Sequence, residues 1–167
     1  MADFELAVAK TLINEGGDKY TETPGDRGGA TKYGISLRFL KTIIKDSSLK
    51  DIKNLTIGDA TSIYRKYFWD DNRYGEIENQ AVAEKVFDMS VLIGASKANK
   101  ILQQSIGIGT GIYNADGIIG DLTLDILNKF NGMPLLIFPY MHYFINICNK
   151  DKTQSKFLLG WLNRVMS

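Results

Sequence analysis

Apolar positions at the start of the chain fall at Phe4, Val8 and Leu12, with Ala7 and Thr11 beside them. This one-sided stripe predicts an amphipathic helix over residues 3–15. Gly16-Gly17 then ends it, as glycine does at a helix C-terminus. The periodicity breaks over residues 18–35, where Pro24, Gly25, Gly28, Gly29 and Gly34 predict irregular or hairpin-like structure. Helical spacing resumes over 36–46, and again after Thr56, where Thr56 and Asp59 form a capping signal. Residues 79–93 place Val82, Val86, Met89 and Ile93 on one face, and Gly94 stops the run. Further helical patterns over 95–106, 121–130, 135–149 and 153–166 bring the total to about eight. The expected fold class is all-α. There is no internal repeat, low-complexity linker or heptad pattern.

The stretch from Met133 to Asn149 has no Lys, Arg, Asp or Glu. It is shorter than the ~20 residues a membrane span needs, and it contains Pro134, Pro139, His142, Asn146 and Asn149. A buried central helix is the better reading, with Pro134 in its first turn and Pro139 kinking or restarting it. No membrane-spanning segment is expected. The N-terminus, Met1-Ala2-Asp3-Phe4-Glu5, is acidic where a signal peptide would be basic, so synthesis in the cytoplasm without such a peptide is expected.

Composition removes several chemistries. The 167 residues suit a self-sufficient core, and a net charge of +1 argues against an electrostatic nucleic-acid binder. The single cysteine, Cys148, excludes an internal disulfide framework and a Cys-rich zinc site. The single histidine, His142, excludes His-rich metal sites, and neither a metal nor a cofactor is expected. Both residues read as parts of the core. Proton chemistry in such a chain falls to carboxylates.

One carboxylate stands out by position. Glu15 follows Leu12 by three residues and Thr11 by four, so it shares the apolar face of its helix and lies in the last turn. Apolar burial and the negative end of a helix dipole both favour the protonated form of a carboxyl, the form a general acid for glycosidic cleavage requires. Across the glycine-rich loop lie Asp26 and Thr31. Inverting glycosidases pair an acid with a carboxylate base roughly 6.5–9.5 Å away, so Asp26 is a candidate base and Thr31 a candidate holder of the attacking water. Asp18 and Glu22 are further loop carboxylates that spacing does not eliminate. Tyr20, Tyr33, Tyr67, Phe68, Trp69 and Tyr74 are candidates to line a sugar cleft, Tyr67 and Trp69 foremost, against a core role for each.

These residues carry a resemblance. Glu15-Gly16-Gly17, Asp26, Gly28-Gly29, Thr31 and Gly34-Ile35-Ser36 form an ordered string similar to that of glycoside hydrolase family 108, the muramidase-type, lysozyme-like proteins of phages and bacteria, some labelled secretion activators. Downstream, Tyr64 to Trp69 resembles the aromatic segment of that family, and Asp88 to Gly94 with Ala98 to Gly107 its middle helices. Asp116 to Gly120 and Gly160-Trp161-Leu162-Asn163-Arg164 resemble the associated C-terminal peptidoglycan-type domain. The chain departs from the family at Thr23 and Asp18, which leaves the second catalytic group open.

The resemblance implies a lysozyme-like fold. Residues 1–94 would form the catalytic part and 95–167 the peptidoglycan-domain-like part, packed as one globule. It implies cleavage of the β-1,4 bond between N-acetylmuramic acid and N-acetylglucosamine, with Glu15 as acid and Asp26, with Thr31, acting on the opposite face. Tyr33, Tyr67 and Trp69 are the expected substrate contacts. The implied partner is the peptidoglycan glycan strand, reached as a monomer after export by a holin-type or other non-Sec route. The alternatives are a lytic transglycosylase and a non-catalytic cell-wall-binding or secretion-associated module. Gly107, Gly109 and Gly111 read as a loop, Asp116-Gly117 as a turn, and Trp161 as packing.

Overall fold

The computed structural model describes residues 1–22, 29–109, 114–129 and 134–167, with only the helical backbone of Pro134 and Leu135. Helix α1 (Phe4–Asn14) starts at Asp3, whose carboxylate accepts from the backbone N–H groups of Glu5 and Leu6. Its buried face is Phe4, Ala7, Val8, Thr11 and Leu12, the stripe expected from the sequence. Gly16 and Gly17 adopt φ of 83° and 63°, and their N–H groups return to the carbonyls of Ile13 and Leu12, closing the helix end.

A small antiparallel hairpin follows, β1 (Thr31–Lys32) and β2 (Ile35–Ser36), with Thr31 opposite Ser36. Its turn residues, Tyr33 and Gly34, both have positive φ, 52° and 76°. Thr21 pairs with Thr31, so the incoming chain adds a bridge to the hairpin. Ser36 then caps α2 (Leu37–Ile43), accepting from the Phe39 N–H at 3.1 Å.

Helix α3 (Leu49–Asn54) was not expected from periodicity, because six residues are too few to show it; a capping box of Ser48 and Asp51 starts it. The expected box of Thr56 and Asp59 starts α4 (Ile57–Tyr64). The chain continues without a break into a π-helical turn over Arg65–Asp70, and a short 3₁₀ turn covers Tyr74–Glu76.

Helix α5 (Gln80–Ile93) runs through the centre, and α6 (Ala95–Ser105) folds back on it after Gly94 at φ 89°. The remaining helices are α7 (Asp121–Lys129), α8 (Pro134–Lys150) and α9 (Leu158–Met166). The expected helix over 153–166 divides into a 3₁₀ stretch, Lys152–Phe157, and α9. The fold is all-α apart from the hairpin. No described helix is long and apolar enough to cross a membrane.

Phe87 on α5 is the hub of the core. Its ring meets Phe4, Tyr64, Trp69 and Tyr74 edge-to-face at centroid distances of 5.4 to 6.5 Å. A second layer comes from α8, where Leu136, Tyr140, Phe144 and Cys148 are buried and Trp161 stacks on Phe144 at 5.0 Å. Helix α8 continues through Pro139 instead of restarting there. The buried stripe also corrects the reading of His142: it lies two residues from both Tyr140 and Phe144, on the opposite side of the helix, and is exposed.

Between the layers, Asn99 is fully buried and fully used. It accepts from the Tyr74 hydroxyl at 2.6 Å and donates to Asn72 and to the Gly117 carbonyl, each at 3.0 Å. Gln103 does the same one turn later, donating to Asp116 and the Ile118 carbonyl and accepting from the Gly117 N–H at 2.8 Å. Asp116-Gly117 is therefore a turn docked on α6. Asn99→Ala leaves the buried Gly117 carbonyl without its amide donor and the Tyr74 hydroxyl with Ser90 alone, and should cost about 2 kcal/mol in urea unfolding. A loss under half that size would show that the segment holds without this bond network.

Candidate active site

Glu15 is the C-cap residue of α1, and its side chain is 18% exposed. One carboxylate oxygen, Oε1, forms an ion pair with Nη2 of Arg164 on α9 at 2.7 Å. The other, Oε2, faces the hairpin turn, where a Cβ built on Gly34 would fall 2.6 Å from it and 2.6 Å from the Tyr64 hydroxyl. No side chain fits at residue 34 with Glu15 in this position. The sequence suggested apolar surroundings for Glu15; the structure instead places a guanidinium on it.

Arg164 is itself held by a second carboxylate. Asp88 on α5 accepts from Nε at 2.9 Å and from Nη2 at 3.0 Å. Asp88 also accepts from the Thr11 hydroxyl at 3.2 Å and the Asn14 amide at 3.1 Å, both on α1. Lys85, one turn earlier on α5, donates to the Arg164 carbonyl at 3.1 Å. Burial works against the Arg164 charge, but the hydrogen bonds and charge of Asp88, with those of Glu15, outweigh it and hold the guanidinium protonated. Burial pulls Lys85 below the ordinary lysine value, partly offset by Asp88. Burial also pushes the Tyr64 phenol well above its ordinary value, with the Glu15 charge adding to it. Tyr64 therefore stays protonated, and its hydroxyl donates to the Tyr33 carbonyl at 2.8 Å.

A cleft of about 400 Å³ opens beside Gly34, between the hairpin, α4 with its π-helical continuation, and the C-terminal end of α5. Gly34, Ser36, Phe39, Tyr64, Tyr67 and Phe68 line one side. Tyr67 is half-buried and packs edge-to-face on Phe39 at 6.4 Å. The mixture of aromatic faces and small polar groups suits a ring with apolar C–H faces and equatorial hydroxyls.

The structure sets Glu15 against Gly34, with Tyr67 sharing the cleft wall with Gly34 and Tyr33 preceding it in the same turn. Trp69 is corrected: it is 3% exposed and packs between Phe4, Tyr74 and Phe87, so its ring is closed to a sugar. The π-helical turn accounts for this. Its i→i+5 register puts Tyr64 and Trp69 on the same inward face and leaves Tyr67 and Phe68 nearer the cleft. Tyr74 is likewise fully buried.

Tyr33 is half-buried, and Lys32 lies over its ring with Nζ 5.4 Å from the centroid. Thr31 sits in β1, its hydroxyl donating to the Gly29 carbonyl at 3.4 Å. Asp26 lies outside the described residues. Asp18 and Glu22 are exposed, Glu22 accepting from the Tyr20 hydroxyl at 2.5 Å.

Sequence reasoning missed Asp88, Arg164 and Tyr64 as parts of the site. A signal existed for Asp88: it falls in a run from Val86 to Ser90 that is buried throughout, and a carboxylate there requires a cation.

The Glycosyl hydrolase 108 family model matches residues 8–94, and the Predicted Peptidoglycan domain model matches residues 97–166. Among solved structures the chain is similar to Brucella abortus SagA, with 30% identity and a TM-score of 0.79, covering 98% of this chain and 89% of that one. No curated protein matches it.

Gly34→Ala forces an L-residue into left-handed backbone and sets a methyl against Glu15 and Tyr64. It should cost at least about 1–2 kcal/mol in urea unfolding. Parent-like stability would mean that the hairpin turn does not press on the Glu15 side chain.

Proposed function

The chain belongs to the glycosyl hydrolase 108 family, and we propose that it hydrolyses the β-1,4 bond from N-acetylmuramic acid to N-acetylglucosamine in peptidoglycan. The observation that carries the reading is the placement of Glu15. Its carboxylate is anchored through Oε1, while Oε2 points to the Gly34 turn at the edge of an aromatic-lined cleft. A carboxylic acid so placed is suited to protonating the departing glycosidic oxygen. The predicted peptidoglycan domain over residues 97–166 supports the glycan strand of the wall as substrate.

In this mechanism the sugar ring enters beside Gly34, with Tyr67 at its face. Glu15 donates its proton to the glycosidic oxygen as the C–O bond breaks and positive charge grows on the ring. Asp26 takes a proton from water attacking the opposite face, with Thr31 helping to hold that water. This pairing gives inversion at the anomeric carbon. The role of Asp26 rests on its order in the sequence, after Glu15 and before Thr31.

Glu15→Gln preserves shape and the Arg164 contact but has no proton to give. It should fold as the parent does and lose release of soluble muropeptides by about 10³-fold or more. Parent-like release by purified Glu15→Gln would end the proposal. Mass analysis of the released fragments checks the reaction type: reducing ends are expected, and 1,6-anhydromuramic ends would make the protein a lytic transglycosylase. Asp26→Asn should lower release by at least about 10²-fold, and near-parental activity would remove Asp26 from the mechanism.

A further inference from the structure

Arg164 lies within the segment matched by the peptidoglycan domain model, yet its guanidinium reaches across the molecule into the site built by residues 8–94. It serves two carboxylates from two helices. Asp88 takes Nε and shares Nη2, a two-point hold, whereas Glu15 has Nη2 alone. Both side chains of the inner pair are nearly closed to solvent, Arg164 at 13% and Asp88 at 7% exposure, so their charges act on Glu15 with little screening.

We propose that Arg164 and Asp88 are positioning residues for Glu15: Arg164 fixes the aim of its carboxylate, and Asp88 limits how strongly the guanidinium holds that carboxylate in its anionic form. The C-terminal segment is then part of the catalytic centre and more than a wall-binding attachment. The inference rests on Glu15 being the acid.

The geometry supplies the reason. A guanidinium placed alone against a general acid would stabilise the anion and oppose proton uptake. With Asp88 on the Nε–Nη2 edge, the same guanidinium can orient Oε1 through Nη2 while most of its charge is answered by Asp88. Among the described residues, the other charged and titratable groups facing this cluster are Lys85 on α5, which faces Asp88 and Arg164, and Tyr64 on α4, which faces Glu15; Asp26, the proposed base, is a further carboxylate that all the variants retain. Lys10 and Glu84 lie further out and pair with each other. Neither Lys85 nor Tyr64 offers a second cation to Glu15 within hydrogen-bonding distance.

The two charges therefore act on Glu15 in opposite senses. Asp88→Asn leaves Arg164 uncompensated and should move Glu15 protonation to lower pH by about one unit or more. Arg164→Gln leaves Glu15 beside the Asp88 anion and should move it to higher pH by a similar amount. The double variant keeps hydrogen-bonding groups at both positions without either charge, and should bring the midpoint back between the two.

Carboxyl-carbon NMR titration reads this directly, with the Glu15 signal assigned by its loss in Glu15→Gln. The alkaline limb of muropeptide release should follow the same order. Arg164→Lys keeps the charge but loses the planar fork; its Glu15 midpoint should stay near the parent's while kcat falls at least tenfold and KM holds.

Opposite shifts in the single variants support the proposal. Unchanged midpoints, or shifts in the same direction, overturn it, as does parental kcat in Arg164→Lys. If a single variant does not fold, Arg164→Lys still decides: a parental kcat there overturns the proposal, and a kcat at least tenfold lower at an unchanged Glu15 midpoint and KM supports it. The NMR titration needs no turnover. A parent that releases no muropeptides would refute the hydrolase reading, while the shifts would still test the charge arrangement.

Discussion

The pairing of Asp88 with Arg164 is the constraint from which the arrangement of the site follows. Taking a carboxylate and a guanidinium out of water is costly, and such a pair is tolerated only where the remaining hydrogen-bonding positions are filled. Here they are filled by Thr11 and Asn14 from α1 and by the Glu15 carboxylate. The result fixes α1, α5 and α9 in one relative register, because a helix that slipped by a turn would strand a buried charge. Glu15, which ends α1, inherits its position from that register.

The backbone around the site consists of conformations that place side chains where regular helices would not. Gly16 and Gly17 turn the chain away after Glu15 without covering it. The Tyr33-Gly34 turn brings bare backbone against the carboxylate. The π-helical stretch after α4 divides an aromatic run between the core and the cleft. Each is a local departure from regularity, and together they bring an acid, a turn and an aromatic wall to one place. The core behind them is regular, with Phe87 holding four aromatic rings edge-to-face.

Most of the helices were legible because they are long enough for periodicity to show, and α1, α5 and α6 appear where their stripes put them. Helix α3 was not, because six residues carry less than two turns of pattern. Trp69 was misread for a related reason: its inward position depends on an i→i+5 register that an α-helical reading of the segment does not contain. His142 was misread as core because its neighbours are apolar, although its phase in the α8 stripe turns it outward. Glu15 was legible from its place on an apolar face before two glycines. Its real environment was not, because the group that meets it is 149 residues further along, and nothing local to Arg164 reveals a distant carboxylate.

That separation has a consequence for how the protein is made. The guanidinium that meets Glu15 is synthesised 149 residues after it, and closing so long a loop must precede any gain from the contact. While the chain grows, α1 and α5 can meet, but Asp88 has no guanidinium and Glu15 has no anchor. Until residue 164 has been made, the buried carboxylate of Asp88 lacks the cation that the folded protein gives it. The surroundings of Glu15 are thus a property of the folded chain and not of the segment that carries it.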